Sequence, residues 1–293
     1  MYFEKPLKCF LLLAVSFSYS QIALVQSSNW TLQDNHIVWH AHNHQGESYK
    51  DNIEMAGRKV AGIISYDVDT SGMVKIDRKI IYPQLHPHVK DSDPWWAKYR
   101  AYLTKDYNDY IIPALYLNQQ ELTLPPVDSI VINGTLKIYH MANDYGLQVS
   151  RDFYPSMESR AFVEKWTLHN SSDTILIIDT EPLHQSSGSQ GGKGHFKTMI
   201  NADIKKRIEL EVGEAYSFHI VMSAHLGSED MSDLRYDRAH QQREHFINEM
   251  SNSLILNTPD QELNTLFRFS KIRASESIYD SKLGLIHSPG GGK

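Results

Sequence analysis

From residue 36 to residue 226 the apolar positions fall into short runs rich in Val, Ile and Tyr, broken by clusters of Gly, Asn, Asp and Ser. Runs of that length, bounded by turn residues, are the mark of β-strands. The pattern predicts strands at 60–68, 73–82, 129–132, 135–140, 147–153, 161–169, 174–180, 195–202, 207–212 and 215–224. Asp69-Thr70-Ser71-Gly72 and Asn133-Gly134 join neighbouring runs as hairpin turns, since Gly and Asn accept the left-handed backbone that tight hairpins require. Asn170-Ser171-Ser172-Asp173 and Gly213-Glu214 separate further runs. No amphipathic helix comes between these strands, so the predicted class is mainly β, with antiparallel sheets packed as a sandwich rather than a parallel α/β sheet.

Two stretches interrupt the strand pattern. Residues 186–194, SSGSQGGKG, read as a mobile loop outside the core. That loop lacks the Gly-Lys-Ser/Thr ending and following helix that would cradle a phosphate. Residues 230–251 read as a mostly polar helix with Leu234, Phe246, Ile247 and Met250 as sparse apolar contacts, a pattern suited to bridging two domains.

A second helix opens at residue 258. Thr258 and Gln261 have the spacing of a capping box, and Pro259 would occupy the first helical position, where its missing N–H costs nothing. Leu263, Leu266, Phe267, Ser270, Ala274 and Ile278 follow the 3.6-residue period as an apolar stripe, and Phe269 and Ile272 lie off it and widen the apolar surface. The helix therefore needs neighbours on more than one side, and the face of Leu263, Leu266, Phe267 and Ile278 is expected to stand exposed without them. Gly284 and residues 288–292 read as a flexible loop after the helix.

The phrase LNTPDQELNTLFRFSKIRASESIYDSKLGLIHSPGGGK, residues 256–293, resembles the junction of bacterial six-hairpin glycosidase-like proteins. Asp51-Asn52-Ile53-Glu54-Met55-Ala56-Gly57-Arg58-Lys59-Val60 is similar to the same proteins. The resemblance implies an N-terminal β-sandwich (a super-sandwich), a linker helix, and then an (α/α)6 toroid that carries the catalytic carboxylates. On that division residues 1–20 are a signal peptide, 30–228 the sandwich, 229–257 the linker and 258–293 the start of an incomplete toroid. Nearly all of the toroid is missing, so no catalytic residue carries over, and removing 258–293 is expected to leave the sandwich folded. The closing His287-Ser288-Pro289-Gly290-Gly291-Gly292-Lys293 resembles a loop at the mouth of the toroid, which makes His287, Ser288, Gly290 and Gly291 candidate substrate contacts. A plain turn between two elements is the competing reading.

Other candidates arise from the residues themselves. Trp95 and Trp96, with Tyr99, Tyr102, Tyr107 and Tyr110 close behind, form the richest aromatic stretch, and flat rings either stack on sugars or pack in a core. His40, His42 and His44 alternate, so on a strand they would share one face. Alternate strand residues are ~6.6 Å apart, too far to close a tetrahedral metal site easily, and no metal is expected. Nothing in the pattern calls for a cofactor. A glycosidase needs two carboxyl groups flanking the scissile bond. Glu158, Glu164, Asp179 and Glu181 lie on or beside strands, where solvation or salt bridging is the expected role. No Gly-x-Ser-x-Gly elbow marks a nucleophile.

Composition narrows the partners. The chain has 293 residues, 29 Lys+Arg against 35 Asp+Glu and a formal charge of -6, with no dense basic run, which disfavours nucleic acid. Lys5 and Lys8, the apolar residues 10–17 and Ser18-Tyr19-Ser20 have the order of a cleavable secretory signal ending before Gln21. The apolar stretch is well short of the ~20 residues that span a bilayer, so no membrane association is expected after cleavage. Cys9, the one cysteine, lies in that signal, so the mature chain would hold no disulfide. The sequence thus reads as the N-terminal portion of an exported, periplasmic or secreted glycoside hydrolase with a carbohydrate partner, inactive by itself. The alternative is a stand-alone, non-catalytic carbohydrate-binding or interaction sandwich.

Overall fold

The computed structural model describes residues 30–33, 36–43, 46–86, 102–191, 194–227, 236–281 and 284–287. Residues 1–20, Leu234, His44, Trp95, Trp96, Ser288, Gly290 and Gly291, all singled out above, lie outside the described residues.

The strands, in order, are β1 (Trp30–Gln33), β2 (His36–His40), β3 (Tyr49–Ala56), β4 (Ala61–Val68), β5 (Val74–Tyr82) and β6 (Leu103–Tyr107). Next come β7 (Leu115–Leu117), β8 (Gln120–Glu121), β9 (Val127–Ile132), β10 (Leu136–His140), β11 (Leu147–Pro155) and β12 (Ala161–Asn170). Then follow β13 (Leu176–Thr180), β14 (His184–Gly191), β15 (Gly194–Ala202), β16 (Arg207–Leu210) and β17 (Ala215–Leu226). Helices α1 (Tyr236–Ser253) and α2 (Gln261–Ser275) precede a final hairpin, β18 (Ile278–Ser281) and β19 (Gly284–His287).

The protein is mainly β, and the strand pairs are antiparallel. One sheet has nine strands in the order β1-β2-β9-β10-β11-β12-β17-β15-β14, and two four-stranded sheets have the orders β16-β13-β7-β8 and β3-β4-β5-β6. Alternation along β12 turns Phe162, Trp166 and Leu168 to one side of the large sheet. There they join Ile64 and Ile80 of one small sheet and Leu117 and Ile178 of the other in a single buried cluster. Both small sheets therefore cover the same face of the large one, an arrangement consistent with a β-sandwich.

The two predicted hairpins form where turn chemistry demanded them. Asp69 Oδ1 accepts hydrogen bonds from the Ser71 and Met73 amides at 2.8 and 3.0 Å. Gly134 takes φ +101° between β9 and β10, and a Cβ there would lie 2.8 Å from Ile247 of α1. Asn118 and Gln119, at φ 54° and 66°, turn β7 into β8, a hairpin that the pattern did not signal because Gln rarely adopts that backbone.

Several expectations are overturned. Residues 186–191, expected in a loop, belong to β14, the edge strand of the large sheet, whose amides pair with β15 although nearly every β14 side chain is exposed; Gly192 and Lys193 lie outside the described residues. Gly284 begins a strand, and the strand expected over 207–212 stops at Leu210, leaving Val212 in an exposed turn. After His40 the chain folds into a 3-10 turn, Ala41–Asn43, so His40 and His42 do not share a strand.

Helix α2 begins later than the pattern predicts, and the apolar residues it buries are the two that lie off the main stripe. Asp260, not Thr258, is its N-cap, with Oδ1 accepting from the Glu262 and Leu263 amides at 2.9 and 3.1 Å. An ionised carboxylate suits the positive helix terminus better than a hydroxyl does. Thr258 instead clasps Asn264, and Pro259 stays outside the helix. The buried residues are Thr265, Phe269 and Ile272, whereas Leu263 and Leu266 are 44% and 66% exposed. The reason lies one turn further on: buried Glu276 shares the face of Phe269 and Ile272, and its ion pair with Arg243 of α1 fixes the helix's rotation. The helix is thus docked, and the expectation that 258–293 can be removed without harm to the sandwich has no structural support.

Candidate functional site

The two stretches that resemble the glycosidase-like proteins meet in space. The Ala56 amide donates to Glu276 Oε1 at 3.3 Å, the Asp280 amide donates to the Arg58 carbonyl at 2.9 Å, and Arg273 Nη1 donates to the Glu54 carbonyl. Tyr279 packs with Ala56, Ala61 and Ile81. At Gly57 any Cβ would sit 1.9 Å from the Ser156 carbonyl oxygen, so the turn after β3 admits only glycine. Arg243 closes this junction from α1. It is fully buried, donates from Nε and Nη2 to the Gly134 carbonyl at 3.2 and 2.6 Å and from Nη1 to the Ala56 carbonyl at 3.2 Å, and pairs with Glu276. No periodicity announced it, because a single Arg on a polar helix looks solvated.

The carboxylates that the sequence singled out do not converge. Glu164 is fully buried in the core, where Oε2 accepts from Arg78 Nε at 2.8 Å and Oε1 accepts from Arg151 Nε at 2.7 Å and Trp166 Nε1 at 2.8 Å. Burial by itself would raise its pKa, but Arg151 and Arg78 outweigh burial and hold it below the usual carboxylate value. The Arg151 guanidinium lies over the Trp166 and Phe153 rings at 4.7 and 5.4 Å, a second source of charge stabilisation. Asp179 faces Arg207 at 3.7 Å on the surface, and Glu181 accepts from the Tyr116 hydroxyl at 3.3 Å. Glu164 and Asp179 have the salt-bridged role expected of them, Glu181 is hydrogen-bonded to Tyr116, and none of the three has the environment of a catalytic acid. Glu158 offers only its backbone amide to the Ser156 hydroxyl, at 3.4 Å.

His287 ends β19, exposed, with Nε2 2.8 Å from the Ser277 hydroxyl. It is therefore part of the terminal hairpin and sits beside the helix–sandwich junction. The His40 and His42 rings are 5.2 Å apart through the 3-10 turn, and Gln33 Nε2 lies 3.1 Å from His40 Nε2. Among the described residues no group of three His, Cys, Asp or Glu is placed to hold a metal ion.

The outer face of the large sheet carries a feature that no motif announced. A depression of about 680 Å³ is lined in part by Ser129, Tyr139, Ser150 and Thr167, with Gln148 and His169 beside them. His140, which also lines the depression, is buried with Nδ1 2.7 Å from the Pro125 carbonyl, an acceptor that requires a protonated Nδ1. Burial first, and then the Arg151 charge, push its pKa down from 6.5 to about 4. A histidine whose folded pKa is depressed supports stability fully above its unfolded value and loses that support as pH falls towards the folded one. His140→Gln is therefore expected to flatten the stability curve between pH 6.5 and 4 by up to about 3 kcal/mol. Urea titrations of both proteins at several pH values check this, and parallel curves would refute it.

No family model matches the chain, and no curated protein matches it. Among solved structures it is similar to one described as a kojibiose phosphorylase from human microbiome, with 8% identity and a TM-score of 0.40, over 85% of this chain and 40% of that one. The chain spans about two fifths of that protein's length, and a likeness of this strength carries nothing about family or activity.

Proposed function

We propose that the chain is the N-terminal portion of an exported glycoside hydrolase, with the sandwich and its two helices forming a base for further helices that supply the acid and the base. The observation that carries the reading is the junction. Residues 51–60 and 256–293, which resemble six-hairpin glycosidase-like proteins, pack on each other across the fold through Ala56, Glu276 and Asp280. Helix α2 adds support: one face is locked to the sandwich while Leu263 and Leu266 stand exposed on another, as suits a helix with neighbours on two sides.

On this reading the 293-residue chain alone turns over no glycan, while the same chain continued through a complete helical domain hydrolyses one. Reducing-sugar release from a panel of plant and microbial glycans is the assay. Turnover by the short chain that disappears in Glu181→Gln would place the chemistry in the sandwich and sink the proposal. Export is part of the same proposal. Expressed in a bacterium, the protein is expected to begin at or within a few residues of Gln21, and an intact mass that retains Met1 on a soluble cytoplasmic product would contradict it.

The second reading, a sandwich that binds carbohydrate without catalysis, is favoured by the open polar face of the large sheet.

A further inference from the structure

We infer that the outer face of the nine-stranded sheet is a binding surface for an uncharged oligosaccharide, laid across the strands along a row of hydrogen-bonding side chains. Strand register places His40 opposite Ser129, Ser129 opposite Tyr139, Tyr139 opposite Ser150, Ser150 opposite Thr167 and Thr167 opposite Ser217. Six neighbouring strands thus contribute one imidazole and five hydroxyls to a single line. At 4.7–4.9 Å between strands the row runs ~24 Å, the reach of a short oligosaccharide. Its middle lies in the 680 Å³ depression, within the usual size range of ligand sites.

The chemistry of the row selects the ligand. A hydroxyl both donates and accepts, as do the hydroxyls of a sugar, so the two surfaces match without a fixed polarity. Tyr139, 40% exposed at the centre, offers a flat apolar ring to the C–H face of a pyranose. The row holds no Lys, Arg, Asp or Glu. Of the charges alongside, Lys137 faces Asp152 at 3.6 Å, His240 reaches Asp152 at 3.3 Å, and His219 Nδ1 lies 2.9 Å from Asp203; Asp128 lines the depression and accepts from the Ser129 hydroxyl at 3.0 Å, and Lys165 lies opposite Asp152 beside the row. Phosphate-bearing ligands would find no Lys or Arg on the row itself and would meet the Asp128 carboxylate in the depression, with Lys165 as a single cation to one side. A protein partner would need an apolar centre, which five hydroxyls do not provide.

The inference rests on the carbohydrate reading above but is tested apart from it. Malto-, cello-, xylo- and mannohexaose are titrated into the 293-residue protein by calorimetry, with a galacturonate oligomer as the charged control. At least one neutral hexasaccharide is expected to bind, with affinity falling about tenfold or more in Tyr139→Ala and falling measurably in Thr167→Val, which keeps the shape and loses the hydroxyl. Melting curves confirm that both variants fold. Absence of binding by all four sugars, binding untouched by both variants, or tighter binding of the charged oligomer would each overturn the inference. Hydrolysis by the longer protein without binding here would leave the enzyme reading standing; binding here without hydrolysis would do the reverse.

Discussion

Replacing Glu164 with Gln is expected to cost the fold at least about 3–5 kcal/mol, the loss typical of removing one partner from a buried ion pair. Here the loss leaves two fully buried cations, Arg78 and Arg151, facing one neutral amide. Asp109, 3.8 Å from Arg78 and partly exposed, is too far and too wet to replace the missing charge. Since domains are stable by only about 5–15 kcal/mol, the variant should unfold at a much lower urea concentration. Acid should have the same effect. The Glu164 pKa is held down in the folded state, so its support is complete above the ordinary carboxylate range and fades as pH falls through the folded value. Changing all three residues together to Met or Leu should restore most of the lost stability, because an apolar trio needs no desolvation. Urea midpoints for the single and triple variants test both statements, and a single-variant loss under about 1 kcal/mol would show that the trio is not the closed electrostatic unit its distances indicate.

Arg243→Ala is expected to cost about 2–4 kcal/mol, since buried Glu276 loses its fully buried partner and keeps only the partly exposed Arg273, 3.0 Å away. The carbonyls of Gly134 and Ala56 lose their donors at the same time. Arg243→Lys should not rescue it, because an ammonium cannot reach three acceptors with the planar fork that Arg supplies. Deleting residues 258–293 should be costly for the same reason, and also because it uncovers Ala56, Ala61 and Ile81 beneath Tyr279. A double-mutant cycle between Arg243→Ala and Glu276→Ala measures the pair directly. A coupling near zero would mean that α2 is held by its other contacts, Phe269, Ile272 and the bond from Arg273 to the Glu54 carbonyl, and not by this pair.

Much of the sandwich was legible because strands and hairpins are written locally. The run over β12 and the Asn133-Gly134 turn need only their own residues to be recognised, and β12 formed within a residue of its expected bounds. Residues 186–194 misled for a physical reason. Gly and Ser carry no strand preference of their own, yet an edge strand needs only backbone amides opposite a partner, which β15 provides. The site was less legible still. Glu164 lies 86 residues from Arg78, and nothing near either residue signals that they will share a desolvated centre.

The amino-acid order by itself determined the strand-rich class, the hairpin turns at residues 69–72 and 133–134 and the existence of two helices, since each follows from periodicity or from the backbone freedom of a few residues. Only the tertiary structure decided which face of α2 is buried, because that depends on an ion pair from Glu276 to another helix rather than on the distribution of leucines. It alone made neighbours of residues 51–60 and 256–293. It alone lined up His40, Ser129, Tyr139, Ser150, Thr167 and Ser217, since strand register is a relation between strands and no single strand carries it.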